Sequence, residues 1–147
     1  MKVAIASDHG GINIRQEIMN LMDEMGIEYK DFGCECGTSV DYPDYAFPVA
    51  KMVANGEVDR GILVCGTGIG MSIAANKVEG IRCALVHDTF SAKATREHNN
   101  SNMLAMGERV IGPGLARDIA KIWLTTEFEG GRHENRVNKI KEYEKQM

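Results

Sequence analysis

The sequence predicts an α/β protein, a three-layer α/β/α sandwich around a mostly parallel, about five-stranded, Rossmann-like sheet. Three observations predict it. Short apolar runs alternate along the chain with stretches that carry apolar residues at spacings of three and four. Glycine-rich turns follow two of the runs, at residues 8–11 and 65–70, where a strand would hand over to a helix. Alternation of this kind implies right-handed crossovers with helices on both faces of the sheet.

Residues 2–7, KVAIAS, read as the first strand. A helix follows over 12–25, where Ile14, Ile18, Leu21, Met22 and Met25 share one face and Gly26 stops it. Residues 29–32 read as the second strand. Residues 34–44, with Gly37, Tyr42 and Pro43, read as loop before a helix from about 45 to 55. The central strand, Ile62, Leu63 and Val64, suits burial on both faces and ends at Cys65; Ile73, Ala74 and Ala75 mark a helix over 71–77. A fourth strand over 81–86 leads through His87 and Asp88 to a helix over 89–97, and 103–106 reads as the fifth strand. Gly112 and Pro113 open a helix with apolar spacing from 111 to 124, Gly130 and Gly131 break the chain, and a polar helix from about 134 to 145 ends it.

The 147 residues suggest one domain, 1–147, and 44 % apolar content supplies its core. The net charge of -4, with scattered basic residues, speaks against a nucleic-acid partner. No apolar run approaches the roughly 20 residues of a membrane span, and the N-terminus lacks a signal pattern, so a cytoplasmic protein is expected. The four cysteines read as thiols; Cys34 and Cys36 have no second pair at zinc-site spacing, and no metal or cofactor is expected.

Chemistry is expected where the two glycine turns end. In an open parallel sheet ligands bind at the carboxyl ends of the strands, and neighbouring strands 1 and 3 would bring Asp8 and His9 to Cys65. The amides of Gly66, Thr67, Gly68, Ile69 and Gly70 are expected to be free there, as a nest for an anion or an oxyanion. A helix N-terminus also favours thiolate over thiol at Cys65. The loop matches no common phosphate motif: it lacks Gly-Lys-Ser/Thr, and Met71 stands where a dinucleotide fingerprint needs glycine. Met71 also stands where a cysteine phosphatase would carry its arginine, so a bound anion needs cations from elsewhere in the chain. Arg132 and Arg136, four apart, form either a phosphate clamp or a solvated face pairing with Glu134. Arg109 is either a phosphate contact or a surface arginine, and His98 with Asn99 could simply complement a helix C-terminus.

The motifs SDHGG (7–11), DYPDYA (41–46), CGTGIGMSIAANK (65–77), REHN (96–99) and GGRHENRV (130–137) together resemble ribose-5-phosphate isomerase type B, a family that includes galactose-6-phosphate isomerase subunits. The likeness spans essentially the whole chain. It implies a metal-free aldose–ketose isomerase of the pentose phosphate pathway that moves a proton between C2 and C1 of a pentose 5-phosphate through an enediolate. It implies Cys65 as the base, with a nest over residues 66–70 as oxyanion donors. His98 would protonate the ring oxygen, and Asp8 or Thr67 would assist at the hydroxyl. Asn99 and Tyr42 would contact the sugar, while His9, Arg109, Arg132 and Arg136 would surround the phosphate. A hexose 6-phosphate (allose or galactose) remains an alternative substrate, and a catalytically weak sugar-phosphate-binding subunit an alternative role. The family's usual Asp after His-Asn is Asn100 here, a lost charge expected to alter the acid or a subunit contact.

Geometry adds one expectation. The helix before His98 runs back toward the amino edge of the sheet, so His98 and Asn99 should lie far from their own Cys65. A homodimer, or a tetramer built from it, would then share its active sites between subunits, with the C-terminal helix, about 132–146, contributing to both dimer and phosphate site.

Overall fold

The structure, a computed structural model, describes residues 1–35 and 37–147. Cys36, read in the sequence as a thiol, lies outside the described residues. Among those described, five parallel strands and six helices alternate: β1 (Lys2–Ser7), α1 (Ile12–Met25), β2 (Glu28–Asp31), α2 (Pro43–Ala54), β3 (Arg60–Cys65), α3 (Ile69–Ala75), β4 (Cys83–Leu85), α4 (Thr89–Asn99), β5 (Met103–Gly107), α5 (Pro113–Thr125) and α6 (Arg132–Lys145). Among the described residues no helix is long and apolar enough to cross a membrane.

The sheet order is β2-β1-β3-β5-β4. Strands 1 and 3 are neighbours, with Ser7 opposite Val64, so the crossover from β2 to β3 reverses direction between them. Alternation along each strand divides the core. Val3, Ile5, Ile62, Val64, Leu104 and Met106 face α1 and α5, where Trp123 is fully buried. Ala4, Ala6, Leu63, Cys65, Met103 and Ala105 face α2 and α3. Small residues let α2 approach closely on that side: a Cβ on Gly61 would lie 2.8 Å from Val49 Cγ1. The Cys65 side chain belongs to this second layer, at the carboxyl end of its strand.

Several boundaries move from the sequence expectation. The helix expected from 45 begins at Pro43, whose fixed φ suits a first helical position, so Tyr42 is its N-cap rather than a mid-loop residue. Helix α3 starts at Ile69, not 71, and stops at Ala75, because Gly68 adopts φ 77° and turns the chain directly into it. Strand β4 keeps only Cys83–Leu85 of the expected 81–86. Helix α4 runs on to Asn99 and is ended by Asn100 at φ 47° and ψ 46°, the left-handed conformation that asparagine tolerates better than most residues.

The contact that fixes the switch point is backbone against backbone. A Cβ on Gly11 would lie 2.6 Å from both the carbonyl carbon and the oxygen of Val64, and one on Gly10 would lie 3.1 Å from the Gly66 nitrogen. Gly11→Ala is therefore expected to lower stability by about 1–3 kcal/mol, the usual cost of overpacking. The check is a urea titration, with the midpoint falling while the slope is unchanged; an unchanged midpoint would show that this contact yields.

Candidate active site

The carboxyl edge of β1 and β3 gathers most of the expected residues. Asp8, 7 % exposed, donates its backbone N–H to Val64 O (3.2 Å) and accepts the Gly10 N–H at Oδ1 (2.8 Å). His9 is held by the next loop: its Nδ1 accepts the Val40 N–H at 3.2 Å, which leaves Nε2 as the protonated nitrogen of the neutral ring. Tyr42 lies against α3, where a Cβ on Gly70 would be 2.7 Å from its ring.

Opposite them stands Arg109, whose guanidinium covers Gly66 so closely that a Cβ there would lie 3.3 Å from its Cζ. The backbone amides of Glu108 and Arg109 donate to Cys65 O (2.9 Å) and Gly66 O (3.0 Å), stitching the turn after β5 to the glycine loop. The expected free nest is modified. The Gly68 N–H donates to Cys65 Sγ at 3.0 Å and the Ile69 N–H to Thr67 Oγ1 at 3.3 Å, because the tight turn at Gly68 folds these amides back onto their own loop. An amide directed at sulfur favours electron density there, so one nest donor serves the thiol instead of a bound anion.

Two residues here were not singled out in the sequence. Glu108 accepts the Ile14 N–H at Oε1 (2.7 Å), capping a helix that has no acidic residue in its first turn and no cap bond from Gly11. It thereby couples the Arg109 turn to the helix behind Asp8 and His9. His87, after β4, accepts the Gly107 N–H at Nε2 (2.9 Å). Gly107 in turn supports the loop, since a Cβ on it would lie 2.5 Å from the Thr67 carbonyl carbon.

His98, Asn99, Arg132 and Arg136 are not at this edge. Asn99 O and Asn100 O accept from Arg82, which immediately precedes β4 at the amino edge of the sheet. Cys83 is in register with Met103 and Met103 with Gly61, whereas Cys65 pairs with Gly107. Four residues of strand, about 13 Å, separate the two levels. Asn100 is tied in locally, with its Oδ1 accepting from Arg96 at 2.9 Å.

A second histidine, also not singled out, accompanies His98. His133 stacks on it with ring centroids 4.3 Å apart, and the Nε2 atoms of both rings stand 3.6 Å from Glu129 Oε1. Burial lowers the pKa of His133 first, and the nearby His98, Arg132 and Arg136 lower it further against the opposing Glu129. Arg132 and Arg136, both exposed, thus belong to the His98 cluster, at the start of α6.

Comparison with known proteins agrees with both the fold and the motifs. Residues 3–140 match the Ribose/Galactose Isomerase family. The chain belongs to that family. It is 79 % identical over 145 residues to a Bacillus subtilis (strain 168) protein named "Putative sugar phosphate isomerase YwlF", covering 98 % of this chain and 97 % of that one. Among solved structures of the family, Clostridium thermocellum ribose-5-phosphate isomerase B superposes with a TM-score of 0.97 at 54 % identity, covering 99 % of each chain. Mycoplasma genitalium ribose-5-phosphate isomerase B with bound ribulose-5-phosphate superposes at 0.95 and 39 % identity, covering 99 % of this chain and 97 % of that one.

His87 makes the carboxyl edge of this isomerase-family fold sensitive to acid. Desolvation lowers its pKa from 6.5, with Asp88 opposing. The unfolded chain then binds the proton more readily than the folded one, so this contribution to stability is present above about pH 6.5 and is lost as pH falls below it. Unfolding free energies measured between about pH 5 and 8 should fall on acidification. His87→Asn, whose amide oxygen can still accept the Gly107 N–H, should show a shallower fall. Equal slopes in the two proteins would remove His87 as the source.

Proposed function

We propose that this chain acts in the cytoplasm as an aldose–ketose isomerase that interconverts ribose 5-phosphate and ribulose 5-phosphate, in homodimers whose active sites draw on both subunits. Membership of the isomerase family supports the reaction class. The pentose phosphate is supported by the names of the ribose-5-phosphate isomerase B relatives, one of them bound to ribulose-5-phosphate.

Each step has a candidate group. His98 donates a proton to the ring oxygen while Asp8 or Thr67 takes the one leaving the anomeric hydroxyl, which opens the sugar. The Cys65 thiolate then removes the C2 proton, the C2–H electrons form the enediol double bond, and the negative charge collects on oxygen. Of the nest, Gly66, Thr67 and Gly70 are the amides that would hold that oxygen, since the Gly68 N–H is bonded to sulfur and the Ile69 N–H to Thr67 Oγ1. The thiol returns its proton to C1 while the proton on O2 passes to O1, so that C2–O becomes the carbonyl of the ketose. Asn99 and Tyr42 border the sugar, and His9, Arg109, Arg132 and Arg136 surround the phosphate.

The observation that carries the shared site is the separation of the two sets of groups within one chain. A proton donor must come within about 3 Å of its substrate, which about 13 Å of strand forbids. A two-fold neighbour can present its His98, Asn99, Arg132 and Arg136 to this chain's Cys65, and the same contact completes a second site. The C-terminal helix then belongs to both the interface and the phosphate site.

Cys65→Ala and His98→Ala should each lower kcat by about 100-fold or more. Mixed under subunit exchange, they should regain turnover, because one site of a hybrid dimer collects both lesions and the other has none. A mixture that exchanges subunits and stays inactive would refute shared sites. Arg132→Ala should mainly raise KM for ribose 5-phosphate, by the equivalent of about 1.5–3 kcal/mol for a charge-assisted contact. An unchanged KM would take Arg132 out of the phosphate site.

A further inference from the structure

Strand β4 ends at Leu85, which is level with Ala105 and so two residues short of the Cys65–Gly107 pair, and the side chain of His87 takes over where its backbone stops. We propose that His87 is a positioning residue for turnover: its neutral ring holds Gly107, and through Gly107 the Thr67 part of the glycine loop, so that a proton on His87 slows the isomerisation. The inference rests on the proposed function, in which amides of that loop receive the enediolate oxygen.

Alternate amides of a parallel strand face opposite neighbours. On β5 the Met103 N–H donates to Arg82 O beside β4, whereas the Glu108 N–H donates to Cys65 O on β3. Gly107, four residues after Met103, therefore points its N–H to the β4 side, where the Val86 N–H has just donated to Ala105 O (3.1 Å) as that strand ends. His87 Nε2 accepts the Gly107 N–H at 2.9 Å in place of a carbonyl. A displacement of Gly107 is transmitted because its other face has no slack: a Cβ there would lie 2.5 Å from the Thr67 carbonyl carbon and 2.6 Å from its Cα. The next two amides, of Glu108 and Arg109, donate to Cys65 O and Gly66 O, so one turn holds the loop at three successive residues.

An Nε2 that carries a proton can no longer accept, and sets N–H against N–H. His87 is half-buried, within reach of solvent protons. Desolvation lowers its pKa and Asp88 opposes this, while the Ser91 N–H, 2.6 Å from Asp88 Oδ1, keeps that carboxylate charged. The neighbouring elements add little charge of their own. Strand β5 and helix α3 contain no titratable side chain, and Lys93 of α4 pairs with Glu97. In the adjoining turns Glu108 is bonded to Ile14, Arg109 lies over Gly66, and Cys65 receives the Gly68 N–H.

The test compares kcat for ribose 5-phosphate between about pH 8 and 5 in wild type, His87→Gln and His87→Leu, with the backbone amides of Gly66, Thr67 and Gly107 followed by NMR over the same range. Glutamine carries its amide oxygen as far out as Nε2 and keeps it an acceptor throughout; leucine offers none. At about pH 8, His87→Leu should lose at least about tenfold in kcat with KM within about twofold, since the phosphate contacts lie elsewhere, and His87→Gln should recover most of that loss. Titration of Cys65 is common to wild type and His87→Gln, so the ratio of their kcat values isolates His87. It should be constant above about pH 6.5 and fall below it, in step with shifts of the three amides that His87→Gln lacks. A folded His87→Leu with wild-type kcat overturns the positioning role; should that variant not fold, a ratio that stays flat to about pH 5 does so alone. Amides that shift equally in His87→Gln overturn the link to the loop. Amide shifts in a wild type that does not turn over ribose 5-phosphate would refute the proposed function, and with it the effect on rate, while the hold of His87 on the loop stands.

Discussion

The contact between two main chains at the β1–β3 switch point governs the rest of this molecule. Gly11 lies directly on the Val64 carbonyl and Gly10 on the Gly66 nitrogen, so the two strand-to-helix turns occupy one volume that has no room for side chains. From that contact follow the position of Asp8 beside the cysteine loop, the direction of α1, and the crevice above both strands. Glu108 and Arg109 close it from the third side through the carbonyls of Cys65 and Gly66. The crevice is thus framed largely by backbone, which holds its shape more tightly than flexible side chains would.

Much of this was legible in the sequence because it depends on local patterns. Strand β1 and helix α1 have the bounds that alternation, helical spacing and Gly26 implied. The pairing of strands 1 and 3 followed from two glycine turns needing a common rim. Boundaries failed where a single backbone conformation decided them, as at Pro43, at Gly68 and at Asn100, since apolar periodicity does not register dihedral angles.

What stayed hidden was tertiary. Nothing near Glu108 in the chain marks it as the cap of a helix more than ninety residues earlier, and nothing near His87 marks it as the acceptor for Gly107. His133 stood in plain view within GGRHENRV, yet only folding lays it on His98. The nest illustrates the opposite error. Counting free amides from a glycine pattern neglects the acceptors the loop itself brings, here the sulfur of Cys65 and the hydroxyl of Thr67.

Asn100 carries an implication for how this sequence can drift. At φ 47° the position admits only residues that tolerate the left-handed basin, and the bond from Arg96 further asks for a short side chain with an acceptor. Asparagine and the aspartate usual in the resembling family meet both conditions, whereas valine or isoleucine meets neither. An exchange that looks like the deletion of a charge near His98 is thus a move within a small set permitted by torsion and reach. Differences between relatives at this position would then reflect helix termination rather than divergence of chemistry.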